Sequence, residues 1–298
     1  MLVIRIGTPQ LPQVAFKESE TWEGRMPEAG VNGVRLYYEI LGDGEPLVLV
    51  HGSWSDATGW QAVVPGLAES FRVLVYDRRG HSRSERPDTQ GSVGEDGDDL
   101  AALLAALELA PAHVVTSSYG GNVALRLAIR RPELFRSLCC HEPPLWGLLE
   151  GDAERWAMLQ QGARSAEAVG RRIADGDHEG AARQFVEEIA FGPGAWENEL
   201  PPKVRAIMVQ NAPTFLDELQ DPEQLRIDEA ALARLEVPVR LTEGSESPPV
   251  FPRVNERLAE LIPAVSRETI EGAAHVPQLQ APERYVEVTT RVGRRAAA

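Results

Sequence analysis

From about residue 30 the apolar positions of the chain alternate between two periods. Val34, Leu36 and Tyr38 fall on every second position after Asn32-Gly33, a pair suited to a tight hairpin turn, so a strand is predicted there. "PLVLV" at 46–50, entered through Gly-Asp-Gly, and "RVLVYD" at 72–77 are apolar on both faces. Runs of that kind belong to strands covered by helices on both sides. Leu100, Leu103, Leu104 and Leu107 then mark one face of a helix, led by the acidic run "EDGDD" that suits a helix N-terminus. "HVVTS" is the next strand, "GNVALRLAIRR" the next helix and "FRSLCCHE" a further strand.

Between about 145 and 235 the pattern changes to helices rich in Ala, Glu, Arg and Gln, and strand signals return at "VPVRLTEG" and "SRETIEG". Alternation of this kind predicts an α/β protein with a mostly parallel, doubly wound sheet. Its core is predicted over 29–144 and 236–298, interrupted after the sixth strand by a helical lid over 145–235. Residues 1–28 carry scattered Pro and charge without periodicity and read as a poorly ordered extension. Met26 stands just ahead of the first patterned stretch, which suggests a natural start there.

Composition narrows the classes. A chain of 298 residues has room for a large core, and no stretch is apolar for long enough to cross a bilayer. The opening "MLVIRIGTPQ" is too short an apolar run for a secretory signal. Cys139 and Cys140 are adjacent and unsuited to pairing, so a reducing cytoplasm is the expected location. No cluster of His and Cys has ligand spacing, and neither a metal nor a cofactor is expected. A net charge of −15 argues against nucleic acid and fits a neutral or cationic small molecule. Oligomeric state is not legible.

The chemistry enters at "TSSYGG", 116–121, between a buried strand and a helix. The ends of parallel strands are where ligands bind. At such a strand-to-helix turn Ser118 stands beside outward-pointing amides, at a helix N-terminus that favours developing negative charge. Gly120 and Gly121 fit a turn so tight that bulk would strike the neighbouring strands.

The stretch resembles the Gly-x-Ser-x-Gly-Gly nucleophile elbow of the α/β-hydrolase family, with Thr116 in the usual glycine place. Three further segments are similar to the family's, in its order and spacing: "LVLVHGSW" at 47–54, "YDRRGHSRSERP" at 76–87 and "IEGAAHVPQLQAPERY" near the C-terminus. The resemblance covers about 30–145 and 236–298. It implies Ser118 as nucleophile, the backbone N–H groups of Ser53 and Tyr119 as an oxyanion hole, and His275 as general base. His51 and His81 fall where the family uses histidine for structure, and His141 reads as hydrogen-bonding locally.

The acid is less direct. The family usually supplies it about three residues after the glycine of "VPVRLTEGSESPP", but that position is Ser247, flanked by Glu243 and Glu246. Glu142, at the end of the strand after the one bearing Ser118 and followed by Pro143-Pro144, offers the alternative some family members use. Glu142 is the preferred acid and Glu246 the reserve. "SLCCHEPPLWGLL" also resembles the Cys-His-Glu-x-Pro stretch of the zearalenone lactonases, which implies the same acid and a ligand-contacting lid tryptophan at Trp196. Trp54 and Trp146 are the other expected substrate contacts.

The resemblance implies a cofactor-independent serine hydrolase of a carboxylic ester or lactone, acting on a neutral, largely apolar or aromatic small molecule. Lactones of the zearalenone type fall within that class. Two alternatives stay open. One is a binding protein on the same fold without turnover; the other is a carbon–carbon bond hydrolase or perhydrolase using the same residues. Epoxide hydrolase and haloalkane dehalogenase chemistry is disfavoured, because those relatives attack with a carboxylate at the elbow.

Overall fold

The structure is a computed structural model and describes residues 27–198 and 200–291. Residues 1–26, most of the expected extension, lie outside the described residues. Eight strands form one sheet in the order β1-β2-β4-β3-β5-β6-β7-β8. They are β1 (Glu28–Val31), β2 (Val34–Leu41), β3 (Glu45–Val50), β4 (Phe71–Tyr76), β5 (Ala112–Ser117), β6 (Phe135–His141), β7 (Val239–Gly244) and β8 (Val265–Ile270).

β1 and β2 form the hairpin that Asn32-Gly33 predicts, with both turn residues at positive φ (+45° and +79°). β2 pairs antiparallel with β4, and every later pairing, from β4 through to β8, is parallel. The two-sided apolar runs behave as predicted: Leu47, Val48, Leu49 and Val50 have no exposed surface. Even residues Val48 and Val50 pack into one core layer with the helices Val93–Ala106 and Tyr119–Arg130, while Leu47 and Leu49 face the other layer with Trp60 and Tyr285. The alternation of the strand thus places one core on each face.

The acidic run at 95–99 does more than serve a helix terminus. Ser92 caps the helix Val93–Ala106 by accepting from the Glu95 amide. Asp96 and Asp99, however, turn inward and are buried against Arg78 (2.7 Å) and Arg79 (2.7 Å) of the loop after β4. This ties that loop to the helix.

Between β6 and β7 the described residues form helices without a strand. The main ones are Ala153–Ala174, His178–Gln184 and Pro202–Gln220. They have their own apolar cluster, including Val169, Val186, Trp196, Met208 and Phe215, which meets the sheet domain through Trp54. The insertion therefore stands over the C-terminal ends of the parallel strands, where the sheet places its loops.

Candidate active site

Ser118 lies between β5 and the helix Tyr119–Arg130 with φ +52° and ψ −127°, a backbone conformation costly for a residue with a side chain. Its N–H donates to His141 O at 2.8 Å, and its carbonyl accepts from the Gly121 N–H at 2.8 Å. A Cβ at Gly120 would stand 2.4 Å from Val50 O, so this turn passes too close to β3 for any side chain there. Thr116, in the usual glycine place, fits because its hydroxyl turns to β6 and donates to Cys139 O at 3.4 Å.

His275 sits in the loop after β8. Its Nδ1 lies 2.7 Å from Glu142 Oε2, although 133 residues separate the two. Glu142 follows β6 at φ +47°, fully buried, and its Oε1 accepts from the Gly244 N–H at 2.9 Å. Gly244 has a second role: a Cβ there would come 2.2 Å from Ala273 O, so only glycine lets the histidine loop lie against the end of β7. Phe251 stacks on the imidazole at 4.3 Å between ring centres, and Trp146 packs against Phe251 in a tilted arrangement at 5.0 Å. The ring is held by a carboxylate on one edge and an aromatic face.

Burial alone would raise the Glu142 carboxyl. His141, the hydrogen bond to His275 and the nearby Ser247 hydroxyl outweigh it and hold the group below the ordinary glutamate value. That hydroxyl is buried and has no hydrogen-bond partner within bonding geometry, so its influence on the carboxylate is the weakest of these. Ser247 thus stands beside Glu142 in the slot where the family's later acid is usual. Glu246 is exposed, and its amide only closes the loop on Ala273 O at 2.9 Å. Glu243 is committed to Arg267 at 2.8 Å and to Asn255 at 2.9 Å. The reserve acid Glu246 is therefore not brought to the histidine.

His141, Glu142 and His275 are the one group among the described residues whose ligand atoms lie close enough together to hold a metal ion. His141 is a poor ligand as placed. Its Nε2 faces Ala274 O at 3.3 Å, so it carries the proton, and its Nδ1 meets Thr242 Oγ1 at 3.0 Å. Burial foremost pushes it down to about 4, so it is neutral near pH 7. The imidazole of His51 is likewise fixed: Nδ1 donates to Gly52 O and Nε2 accepts from the Arg78 N–H.

These groups meet at a cavity of about 860 Å³ beneath the insertion. Ser53, Trp54, Ser118, Tyr119, Trp146 and His275 all line it, with Glu142 directly behind His275. Its far walls are mostly apolar, among them Leu159, Ala166, Phe185, Ile207, Met208 and Leu219. Trp196 departs from expectation. It is buried in the apolar cluster of the insertion with the Arg205 guanidinium over its ring, and it is not a lining residue.

Residues 47–288 match the model of the alpha/beta hydrolase family. The chain belongs to that family. Among characterised and uncharacterised relatives, this alpha/beta hydrolase is 40% identical to an uncharacterized hydrolase, YraK, of Bacillus subtilis over 124 residues, 41% of this chain and 46% of that one. It is 42% identical to the 2-hydroxymuconate semialdehyde hydrolase of a Pseudomonas species over 110 residues, 36% of this chain and 39% of that protein. Both matches thus span less than half of the relative's length. A solved N-acyl homoserine lactone degrading enzyme is similar over 89% of this chain and 99% of its own, with 27% identity and a TM-score of 0.68. Three residues of the site were not legible beforehand: Phe251, Gly244 as the seat of the histidine loop, and Glu218, which lines the cavity from the insertion. Among the described residues no helix is long and apolar enough to cross a membrane.

Proposed function

We propose that this alpha/beta hydrolase cleaves carboxylic esters or lactones through an acyl-enzyme on Ser118. The Ser118 hydroxyl attacks the carbonyl while His275 Nε2 takes its proton, and the amides of Ser53 and Tyr119 hold the resulting oxyanion. The imidazolium then protonates the departing alkoxide. Water, deprotonated by the same imidazole, releases the acid and regenerates Ser118. Glu142 keeps the Nδ1–H tautomer of His275 and compensates the positive charge it acquires.

The observation that carries this reading is the 2.7 Å pairing of His275 with a buried, ionised Glu142 at the wall of the cavity that Ser118 also lines. The apolar far walls favour a neutral substrate with a sizeable apolar or aromatic part, in a cavity of the size drug-like ligands fill. The lactone-degrading structural relative keeps lactones in that class. Carbon–carbon bond hydrolysis is a second reading, favoured by the 42% identity to the semialdehyde hydrolase over the matched stretch.

A fluorophosphonate probe tests the chemistry. It is expected to label Ser118 and to leave Ser118→Ala unlabelled, with ester turnover by that variant reduced at least about 10³-fold. Labelling elsewhere, or folded protein that does not label, would refute the serine mechanism and favour a binding protein. Aromatic macrolactones, p-nitrophenyl esters and vinylogous 1,5-diketones assayed side by side separate the two readings.

A further inference from the structure

The helix Pro202–Gln220 carries Asn211, Thr214 and Glu218 at spacings of three and four, on one face, and all three are buried against the loops of the sheet domain. Asn211 donates to Ser55 O at 3.0 Å and accepts from the Ser82 N–H at 2.7 Å. Thr214 meets His81 Nε2 at 3.0 Å. Glu218 reaches the candidate site itself. Its Oε2 accepts from the Ser53 hydroxyl at 2.5 Å, and its Oε1 accepts from Arg78 Nη2 at 2.8 Å.

Arg78 completes the clasp. It is 1% exposed and held on its other side by Asp96 at 2.7 Å, so its orientation is fixed. Its Nη2 points to Gly52 O at 3.4 Å and its backbone N–H donates to His51 Nε2 at 3.0 Å. Each residue of 51–53 is therefore gripped from outside. Trp54, next in the chain, is held at φ +62°, a conformation this segment would not keep unaided.

We infer that Glu218 is a positioning residue: through the Ser53 side chain it fixes where the Ser53 backbone amide points. This rests on the serine-hydrolase reading of Ser118. The insertion would then complete the oxyanion site as well as cover it. An oxyanion donor acts only if it stands at hydrogen-bond distance from the charge as it forms, and an error of about 1 Å can cost about 10²-fold. Because the amide serves the transition state more than bound substrate, loss of the clasp lowers kcat and leaves KM nearly unchanged.

The test uses p-nitrophenyl butyrate with Ser53→Ala, Glu218→Gln, the double variant, Ser53→Thr and Ser118→Ala, each with a thermal melt. Ser53→Ala keeps the amide and the Arg78–Glu218 ion pair, so it guards against a mere failure to fold. Expected are a kcat about tenfold lower for Ser53→Ala, KM within about twofold, and substantial recovery in Ser53→Thr, which keeps a hydroxyl. The double variant is expected to be no worse than the poorer single variant, since both cut one link. Wild-type kcat in folded Ser53→Ala, or losses that multiply in the double variant, would overturn the inference. Turnover surviving in Ser118→Ala would instead overturn the mechanism on which it rests.

Discussion

The floor of the cavity and its roof are held by different forces. The floor, made of the loops after β3, β5 and β6, places three residues with side chains at positive φ: Trp54, Ser118 and Glu142. Each such conformation costs about 1–3 kcal/mol and persists only where the surroundings over-determine it. Here the surroundings are hydrogen bonds and glycine-tight backbone contacts at Gly120 and Gly244. Among its described residues the roof places no residue with a side chain at positive φ. Apolar side chains and the small residues Gly162, Ala163 and Ala166 make up much of its cavity face, with the Glu167–Arg171 pair among them. Its polar attachments to the sheet domain include Asn211, Thr214 and Glu218, as well as Asp217 to Arg86 and Asp221 to the Val93 N–H. Geometry that must be fixed to a fraction of an ångström is therefore concentrated in the floor, while the roof sets the volume.

If that division holds, the largest effects come from floor polar groups. Glu142→Gln removes the charge that faces the imidazolium and can present its amide N–H to His275, stabilising the wrong tautomer. Ester turnover is expected to fall at least about 10²-fold. Glu246→Gln, an exposed position, is expected to stay within about twofold of wild type. Measuring kcat/KM of both variants on p-nitrophenyl butyrate decides the matter, and the opposite ranking would move the acid to the loop after β7.

The same division explains what could be read beforehand. Strands such as Leu47–Val50 announce themselves because burial on both faces demands an unbroken apolar run. Ser118 and His275 are legible because tight turns constrain their neighbours in sequence. Glu142 was reachable because a serine at 247 vacated the usual slot and Pro143-Pro144 marked where β6 ends. Glu218 was not: its contact with Ser53 spans 165 residues, and nothing local distinguishes it from the many exposed glutamates of the insertion. Asp96 was masked in the same way, its acidic run being equally suited to a helix terminus. Trp196 failed because residue type does not say which way an aromatic faces. In a helical segment that must build its own core, it turned inward.

A smaller effect is expected from the roof, and it should change selectivity. Ala166 lines the cavity from the helix Ala153–Ala174. Ala166→Phe would fill space that a long acyl chain or a large ring needs and that a short acyl group does not. Across p-nitrophenyl esters from acetate to laurate, the ratio of laurate to acetate kcat/KM is expected to drop about tenfold, the scale of one or two displaced methylenes. An unchanged ratio would mean that substrates do not extend along this helix.

The smallest effect sharpens the floor from another direction, through pH. His141 is pushed down to about 4, chiefly by burial, against which the Glu142 charge acts and to which His275 adds. Its ordinary value in an unfolded chain is about 6.5. Between those values the unfolded chain binds a proton that the folded one refuses, so this group costs stability as pH falls through the window. His141→Gln removes that proton uptake. Its melting temperature is expected to fall less than that of wild type between pH 7 and pH 5, by about 3 °C. Buried His51 and His81, also shifted down, and Asp96, shifted up to about 6, contribute equally to both proteins and cancel in the difference. An equal or larger fall in the variant would mean that His141 is charged in the fold. A cation there would face Glu142 in competition with His275, and the pairing on which the proposed chemistry depends would have to be redrawn.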